Sequence, residues 1–313
     1  MASRADSRLF GHTLGTPQLE VVEALEFFAR LGLDGAEVIW ENGYRSALPE
    51  GDGEISKLVR ATSGALGLEI GCLTPYMTGL NSLDESERRR DIERFVACIQ
   101  TAESLGCSLV RVYSGRLLEH DQPNRVEHWK RLTDSLSQLA KIAAEAGVTL
   151  AVENHFNTMT VTAEQTVALI AEIGSDAIGA LYDQANLAFT HSEMYPEAIN
   201  LQKSAICYVH VKDLEFLDQA VPFTGGNSVM RVETEQRAVR SRVIGDGILE
   251  WPAILSALAE VGYRGPYSLE YEYRWHPQDL PDPEIGFSIG RQRLRSMLDS
   301  IVVPKADGIV PTA

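Results

Sequence analysis

Short apolar segments alternate with longer segments of helical periodicity along nearly the whole chain. Eight segments rich in apolar and β-branched residues predict strands. The predicted strands are Leu9–Leu14, Gly35–Trp40, Leu68–Pro75, Ser108–Ser114, Val148–His155, Ile178–Asn186, Ile206–Asp213 and Pro266–Tyr273. The segments between and after them predict helices near 17–31, 51–66, 84–105, 123–146, 162–173, 192–203, 250–261 and 284–302. Strands that alternate with helices indicate right-handed βαβ units and a parallel sheet.

The predicted helix ends carry residues that suit them. Pro17 and Pro123 stand at predicted first turns, where the missing amide hydrogen costs no hydrogen bond. Glycine, which accepts the left-handed backbone that ends a helix, follows six of the helical segments. These glycines are Gly32, Gly67, Gly106, Gly147, Gly174 and Gly262.

Eight strand–helix rounds in 313 residues favour an α/β fold made of a single (β/α)8 TIM barrel. We expect this barrel to span residues 1–303, with a C-terminal tail at 304–313. An open doubly wound sheet is the alternative, but no G-x-G-x-x-G fingerprint follows the first strand. A long loop at about 214–245 interrupts the alternation of strands and helices and carries four arginines. It is interpreted as a lid or wall over a pocket, an oligomer contact or a solvent-exposed loop.

Composition narrows the class of protein. The chain has 28 basic and 44 acidic residues, a formal net charge of −16, which argues against binding nucleic acid through its phosphates. Its four cysteines are scattered, which is typical of a reducing cytoplasm and not of a disulfide framework. No apolar leader or run of about 18 apolar residues is found, so we expect no membrane association and a cytoplasmic location.

Polar side chains stand late in four consecutive predicted strands, at the end where TIM barrels place their active sites. A carboxylate in a strand that faces a barrel interior is costly unless it is paired or binds a metal. The residues that attract attention are Glu153 and His155 on the fifth strand, Asp183 on the sixth, His210 and Lys212 on the seventh, and Glu270 and Glu272 on the eighth.

Glu153, Asp183, His210 and Glu270 together predict a site for one divalent cation. Oxygen-rich ligands with one histidine suit Mn²⁺ best, with Mg²⁺ or Co²⁺ as alternatives. If the register is shifted by two residues, Glu272 replaces Glu270 as the ligand. The competing interpretation is a buried ion-pair network in which Lys212 and Arg111 neutralise the carboxylates.

These four residues give the chain a family resemblance. It resembles the xylose isomerase-like TIM barrel superfamily, the sugar phosphate isomerase/epimerase family, over about residues 8–300. The matching motifs are VENH with Glu153, YDQAN with Asp183, VHVKD with His210 and SLEYE with Glu270.

The resemblance implies a metal-dependent isomerase or epimerase that acts on a keto sugar or related polyol by proton abstraction through an enediolate. The alternative is a lyase of the same fold: a keto-sugar or inosose-type dehydratase, or an eliminase like the C-glycoside deglycosidases. Asn186 stands three residues after Asp183, where the ketose 3-epimerases that resemble this chain usually carry histidine. This departure slightly favours the lyase.

The same resemblance suggests roles for individual residues. Glu153 and Glu270 are expected to transfer protons as well as bind the metal, whereas in an elimination His155 or Lys212 is the better acid or base. Candidates for contact with a small carbohydrate substrate, each weighed against a structural role, are Arg111, Tyr113, Asn186, Trp40, Trp275 and His276, with His12 and Glu41 near the mouth. A homo-oligomer or a partner subunit is left open.

Overall fold

The structure is a computed structural model that describes residues 8–217 and 237–301. Its strands are β1 (Leu9–His12), β2 (Gly35–Ile39), β3 (Glu69–Thr74), β4 (Leu109–Val112), β5 (Thr149–Glu153), β6 (Ile178–Asp183), β7 (Ile206–Val211), β8 (Asp213–Phe216), β9 (Val239–Arg242) and β10 (Tyr267–Leu269). Its helices are α1 (Val21–Arg30), α2 (Gly53–Leu66), α3 (Glu85–Leu105), α4 (Arg125–Glu145), α5 (Ala163–Ile173), α6 (Gln184–Phe189), α7 (Glu197–Gln202), α8 (Trp251–Glu260) and α9 (Pro283–Ser300).

Eight parallel strands close into a barrel in the order β1-β10-β7-β6-β5-β4-β3-β2. The predicted (β/α)8 barrel is therefore confirmed, and the open-sheet alternative is wrong. The six glycines predicted to end helices all have positive φ values, between 63° and 88°. The predicted tail at 304–313 lies outside the described residues.

The barrel interior is built in two layers that follow from strand geometry. Residues two positions apart on a strand point to the same side, so each apolar interior residue is followed by a second interior residue nearer the carboxyl end. The lower, apolar layer is formed by Phe10, Cys72, Leu109, Ala151, Leu181 and Tyr208. Two residues further along the same strands stand His12, Thr74, Arg111, Glu153, Asp183 and His210, all buried. The polar layer is thus set directly above the apolar one.

One helix start and one strand end differ from the sequence-based prediction because a side chain caps a helix there. The first helix begins at Val21 and not near Pro17, because Glu20 and Glu23 form a capping box there. The predicted sixth strand, Ile178–Asn186, ends at Asp183, whose side chain accepts a hydrogen bond from the amide of Asn186 and so caps α6.

The predicted long loop at 214–245 contains regular structure at both ends. Strands β8 and β9 pair antiparallel as a separate two-stranded sheet after the seventh barrel strand. Arg237 forms a buried ion pair with Asp279, and Ser241 donates its amide hydrogen to the same carboxylate at 3.3 Å. These contacts join the hairpin to the segment after β10. Arg231 and the rest of 218–236 lie outside the described residues.

Candidate metal centre and active site

Glu153, Asp183, His210 and Glu270 converge at the carboxyl ends of neighbouring strands. Their ligand atoms all lie within 4.8 Å of one another, and all four residues are buried. His210 Nδ1 lies 3.3 Å from an oxygen of Glu153, 3.3 Å from one of Glu270 and 3.6 Å from Asp183 Oδ2. Register explains the convergence, because Asp183 pairs with His210, and Ser268, two residues before Glu270, pairs with His210 on its other side.

The orientation of His210 points its Nδ1 atom at the other three residues. His210 Nε2 lies 3.1 Å from both carboxylate oxygens of Glu37. A carboxylate only accepts, so Nε2 carries a hydrogen, and Nδ1 is the nitrogen that would bind a cation once it has lost its own proton. This carboxylate–histidine arrangement is the one that orients imidazole ligands in metal sites.

Glu37 is a buried carboxylate of this site that the sequence pattern alone did not single out. It is fully buried in β2 and also accepts a hydrogen bond from Thr74 Oγ1. Burial opposes its ionisation, but the imidazoles of His210 and His12 outweigh burial and lower the pKa of Glu37 to about 2. The signal was a lone carboxylate inside the apolar run GAEVIW, the same signal that singled out Asp183.

His12 supports this arrangement and is not a ligand in it. The amide of Leu14 donates to His12 Nδ1 at 3.0 Å, so the ring hydrogen sits on Nε2, which faces Glu37 at 3.4 Å. Although His12 clusters with His210 and Glu270, the nitrogen on that side is protonated in this tautomer. His12 and His210 therefore both face Glu37 through Nε2.

Glu153 is held from two sides and closed off from solvent. Arg111 Nε donates to one oxygen at 2.7 Å, and Asn186 Nδ2 donates to the other at 3.1 Å. Burial raises the pKa of Glu153, but Arg111 and His210 more than offset burial, so the pKa lies below its usual range. Asn186 thus lies behind Glu153, where it binds this carboxylate. The sequence predicts Asn186 among the substrate contacts, but Asn186 is absent from the described residues that line the cleft above this site.

Lys212, Glu270 and Glu272 form a charged group on the cleft side of the site. Lys212 Nζ lies 2.7 Å from Glu270, 3.0 Å from Asp183 and 3.5 Å from Glu272. Burial disfavours the ammonium, but Asp183 and Glu270 outweigh burial and raise the pKa of Lys212 well above its usual value. Glu272 accepts from Ser241 at 3.1 Å and stands outside the metal cluster, which favours Glu270 as the ligand.

A cleft of about 910 Å³, part of it open to solvent, lies above these groups. Among the predicted residues, the structure brings to its walls Arg111, Tyr113, His155, Lys212, Glu270, Glu272, Trp275 and His276. Glu153 does not line it within the described residues. Trp40 belongs to the main hydrophobic core, and Glu41 pairs with Arg94 at 2.9 Å, so the structure does not bring these two to the cleft.

His155 lines this cleft, and its hydrogen bonds fix its tautomer. Its Nδ1 atom lies 2.8 Å from the carbonyl oxygen of Phe156 and 3.1 Å from the hydroxyl of Tyr113. Because a carbonyl oxygen only accepts, the ring hydrogen is on Nδ1 and the lone pair is on Nε2. Burial lowers the pKa of His155, which keeps the imidazole neutral.

Charge balance favours a metal site over a simple ion-pair network. Two permanent cations, Arg111 and Lys212, face a set of five carboxylates: Glu37, Glu153, Asp183, Glu270 and Glu272. Five negative and two positive charges leave −3, or −2 when His210 is protonated, and buried charge of one sign is strongly unfavourable. The predicted ion pairs therefore exist, but they do not neutralise the site.

Two buried atoms face the space where a cation fits. Among the described residues, neither His210 Nδ1 nor Asp183 Oδ2 makes a hydrogen bond, although Asp183 Oδ2 forms an ion pair with Lys212 Nζ at 3.0 Å. Three carboxylates and one imidazole are a suitable donor set for a divalent metal ion. The four residues therefore fit the group that the sequence predicted. The same carboxylates raise the pKa of His210 despite its burial, so metal binding has to displace a proton.

Comparison with known proteins assigns the family. The profile of the xylose isomerase-like TIM barrel family matches residues 25–296. The chain belongs to this family. The resemblance inferred from the four motifs is thereby confirmed.

Curated relatives match part of the chain. An inosose dehydratase of Geobacillus thermodenitrificans is 29% identical over 150 residues, which cover 47% of this chain and 48% of the relative. The rhizopine catabolism protein MocC of Rhizobium meliloti is 32% identical over 148 residues, covering 47% and 44%. The chain thus spans about half the length of these relatives.

Solved structures share the fold over almost the whole chain. An L-ribulose 3-epimerase superimposes with a TM-score of 0.74 at 21% identity, covering 94% of this chain and 95% of the other. The IolI protein with a bound zinc atom gives 0.74 at 20% identity, covering 95% and 100%. A Mycobacterium smegmatis barrel in complex with magnesium gives 0.69 at 18% identity, covering 96% and 99%.

Among the helices of the described ranges, none has the length and apolar character to cross a bilayer.

Proposed function

We propose that this protein is a metal-dependent lyase that removes water from a keto-cyclitol or keto sugar, as an inosose-type dehydratase does. The observation that carries the proposal is the asymmetry of the cleft. Lys212, an ammonium, and His155, whose Nε2 atom is an acceptor, line it, whereas Glu153 is covered by Arg111 and Asn186. The curated relatives named inosose dehydratase support this reaction class.

The metal would be held by Glu153, Asp183, His210 and Glu270, with Mn²⁺ as the expected ion and Mg²⁺ or Co²⁺ as substitutes. When bound, a divalent cation polarises a substrate carbonyl and acidifies the neighbouring C–H group. Glu37 keeps the hydrogen of His210 on Nε2, and Arg111 and Asn186 keep Glu153 ionised and oriented. These residues orient two of the ligands, and His210 would release its Nδ1 proton when a cation binds.

The proton transfers follow from the two groups that face the cleft. His155 Nε2 accepts the proton from the carbon beside the carbonyl, and the electron pair of that C–H bond forms the new C=C bond. The hydroxyl group on the next carbon leaves as water after it receives a proton from the Lys212 ammonium. One C–H and one C–O bond break, one C=C bond forms, and no oxidant or reductant is needed.

The isomerase/epimerase reaction predicted from the sequence is the second candidate, and one observation favours it. An oxygen of Glu153 and an oxygen of Glu270 each lie 3.3 Å from His210 Nδ1, so the two carboxylates do converge as a proton-transfer pair would. Against it stands the burial of Glu153, whose side chain has no exposed surface.

One experiment separates the two reactions. The Mn²⁺-loaded protein is incubated with keto-inositols and ketohexoses in deuterated water, and products are followed by ultraviolet absorbance, mass spectrometry and NMR. The lyase is expected to give a product one water lighter that absorbs in the ultraviolet. A product of unchanged composition that carries deuterium would contradict the lyase and establish epimerisation or isomerisation.

A further inference from the structure

A second polar pocket lies beside the cleft, between the loop after β3 and the start of α4. It has a volume of about 470 Å³, part of it open to solvent. Thr78 lines both this pocket and the cleft, so one loop forms a wall of each. The proposed reaction uses none of the other residues of this pocket.

His128 presents an unpartnered nitrogen to this pocket. Its side chain is 8% exposed, and its Nδ1 atom lies 2.8 Å from the carbonyl oxygen of Asn81. The carbonyl only accepts, so Nδ1 carries the hydrogen and Nε2 has the lone pair. Among the described residues, no group makes a hydrogen bond to this buried Nε2 atom. Buried polar atoms without a partner are rare and call for an explanation.

Asp121 lies opposite that nitrogen and points one carboxylate oxygen, Oδ1, toward it. Its Oδ2 atom accepts the amide hydrogen of Leu118 at 2.9 Å, while Oδ1 lies 3.9 Å from His128 Nε2. This separation is too long for a hydrogen bond, but it suits two ligands of one ion, since Zn–N and Zn–O bonds are each about 2.0–2.2 Å. His120 Nε2 lies 3.3 Å from the same Oδ1 atom.

We propose that His120, Asp121 and His128 form a second metal site, selective for Zn²⁺ and similar transition ions. Two imidazoles and one carboxylate are typical zinc ligands, whereas Mg²⁺ and Ca²⁺ prefer sites made of oxygen. The three ligand atoms do not all lie within 4.8 Å of one another in the structure, so His120, whose side chain is 74% exposed, has to turn toward the ion, and water completes the coordination. Asp84, Glu87 and Arg116 also line the pocket; the two carboxylates accept hydrogen bonds from Ser86 and Ser82.

The proposed ion would join the turn at Glu119–Asn124 to the first residues of α4 and, through Asn81, to the loop after β3. Because an ion that binds the folded state alone stabilises it, zinc should raise the thermal unfolding temperature. This effect does not depend on the reaction that the cleft performs.

The test counts zinc in a chain whose first site is disabled. Equilibrium dialysis against Zn²⁺ is done on the Asp183→Asn, Glu270→Gln double variant, and circular dichroism checks its fold. We expect about one Zn²⁺ per chain, and at least about a tenfold loss of affinity when His128→Gln or the exposed His120→Gln is added. Asp134→Asn, an exposed carboxylate on the same helix α4, is the matched control and should bind zinc normally.

A spectroscopic measurement on the folded, otherwise unaltered chain tests the same site if the double variant does not fold. Co²⁺ is added to the otherwise unaltered chain, and the visible spectrum is compared with that of His120→Gln, whose exposed side chain contributes little to folding. Loss of one cobalt band set in the variant is expected. Zinc binding by the double variant that His120→Gln and His128→Gln leave unchanged would overturn the second site, as would the absence of zinc binding by a folded double variant.

Discussion

The two sides of the candidate site are built differently. On the β5–β6 side, Glu153 and Asp183 have no exposed side-chain surface and are tied to Arg111, Asn154 and Asn186. On the β7–β10 side, the charged side chains reach the cleft: Lys212 is 6% exposed, Glu270 9% and Glu272 15%. We therefore propose that Glu153 and Asp183 hold the cation from the closed side, and that the β7–β10 side, which also supplies His210 and Glu270 as ligands, meets the substrate.

The largest effect is expected from the holding side. Asp183→Asn removes a ligand charge and its ion pair with Lys212, but the amide oxygen can still accept from Asn186, so the metal and the activity should both disappear while the barrel remains folded. Metal content, turnover and thermal unfolding are measured together. Asp176→Asn, an exposed carboxylate just before the opposite end of β6, is the matched control. Unchanged turnover in Asp183→Asn would mean that the ligand assignment is wrong.

A substitution of Lys212, on the β7–β10 side, should lower the rate of the reaction and leave the metal bound. Lys212→Met removes the proposed acid but none of the four ligands, so kcat should fall by about 10²–10⁴-fold, the usual contribution of acid–base catalysis. Kinetics and metal analysis on the same sample check this, with the exposed Lys57→Met as control. If metal content falls in parallel with kcat, Lys212 is needed for metal binding, and its role as the acid is not established.

Glu37→Gln tests the residue that orients His210 from behind. The variant weakens the hold on the Nε2 hydrogen of His210, and such changes cost about 10–100-fold in metal affinity or activity. A metal titration measures it. An affinity equal to that of the unaltered chain would show that Glu37 does not position the ligand.

The smallest effect is expected from Asn186→Ala. This variant removes one of the donors to Glu153, while Arg111 still binds the other oxygen. Metal affinity should fall less than in Glu37→Gln, because the Arg111 guanidinium keeps Glu153 ionised. Substitution with histidine, the residue of the resembling 3-epimerases, is informative as well: a gain of epimer formation would show that this position sets the reaction.

The sequence allowed the barrel and the four converging residues to be predicted because carboxylates such as Asp183 stand out in apolar strands. Glu37 was overlooked although it shows the same signal, since its partner His210 lies 173 residues away and only barrel closure brings them together. The sequence also could not predict that Arg111 and Asn186 cover Glu153 and separate it from the cleft, because this depends on the positions of side chains from different strands. Strand ends were inexact where one side chain, such as Asp183, both ends a strand and caps a helix.

The central claim is that the four buried residues hold one divalent cation. The most direct measurement is the metal content of the purified chain by elemental mass spectrometry, before and after chelation and reloading with Mn²⁺, with Glu270→Gln in parallel. Added Mn²⁺ is counted with zinc absent, so the second site does not interfere. We predict about one ion per chain in the unaltered protein, lost in the variant. No bound metal and no rebinding would contradict the claim, and the four residues would then be part of an ion-pair network.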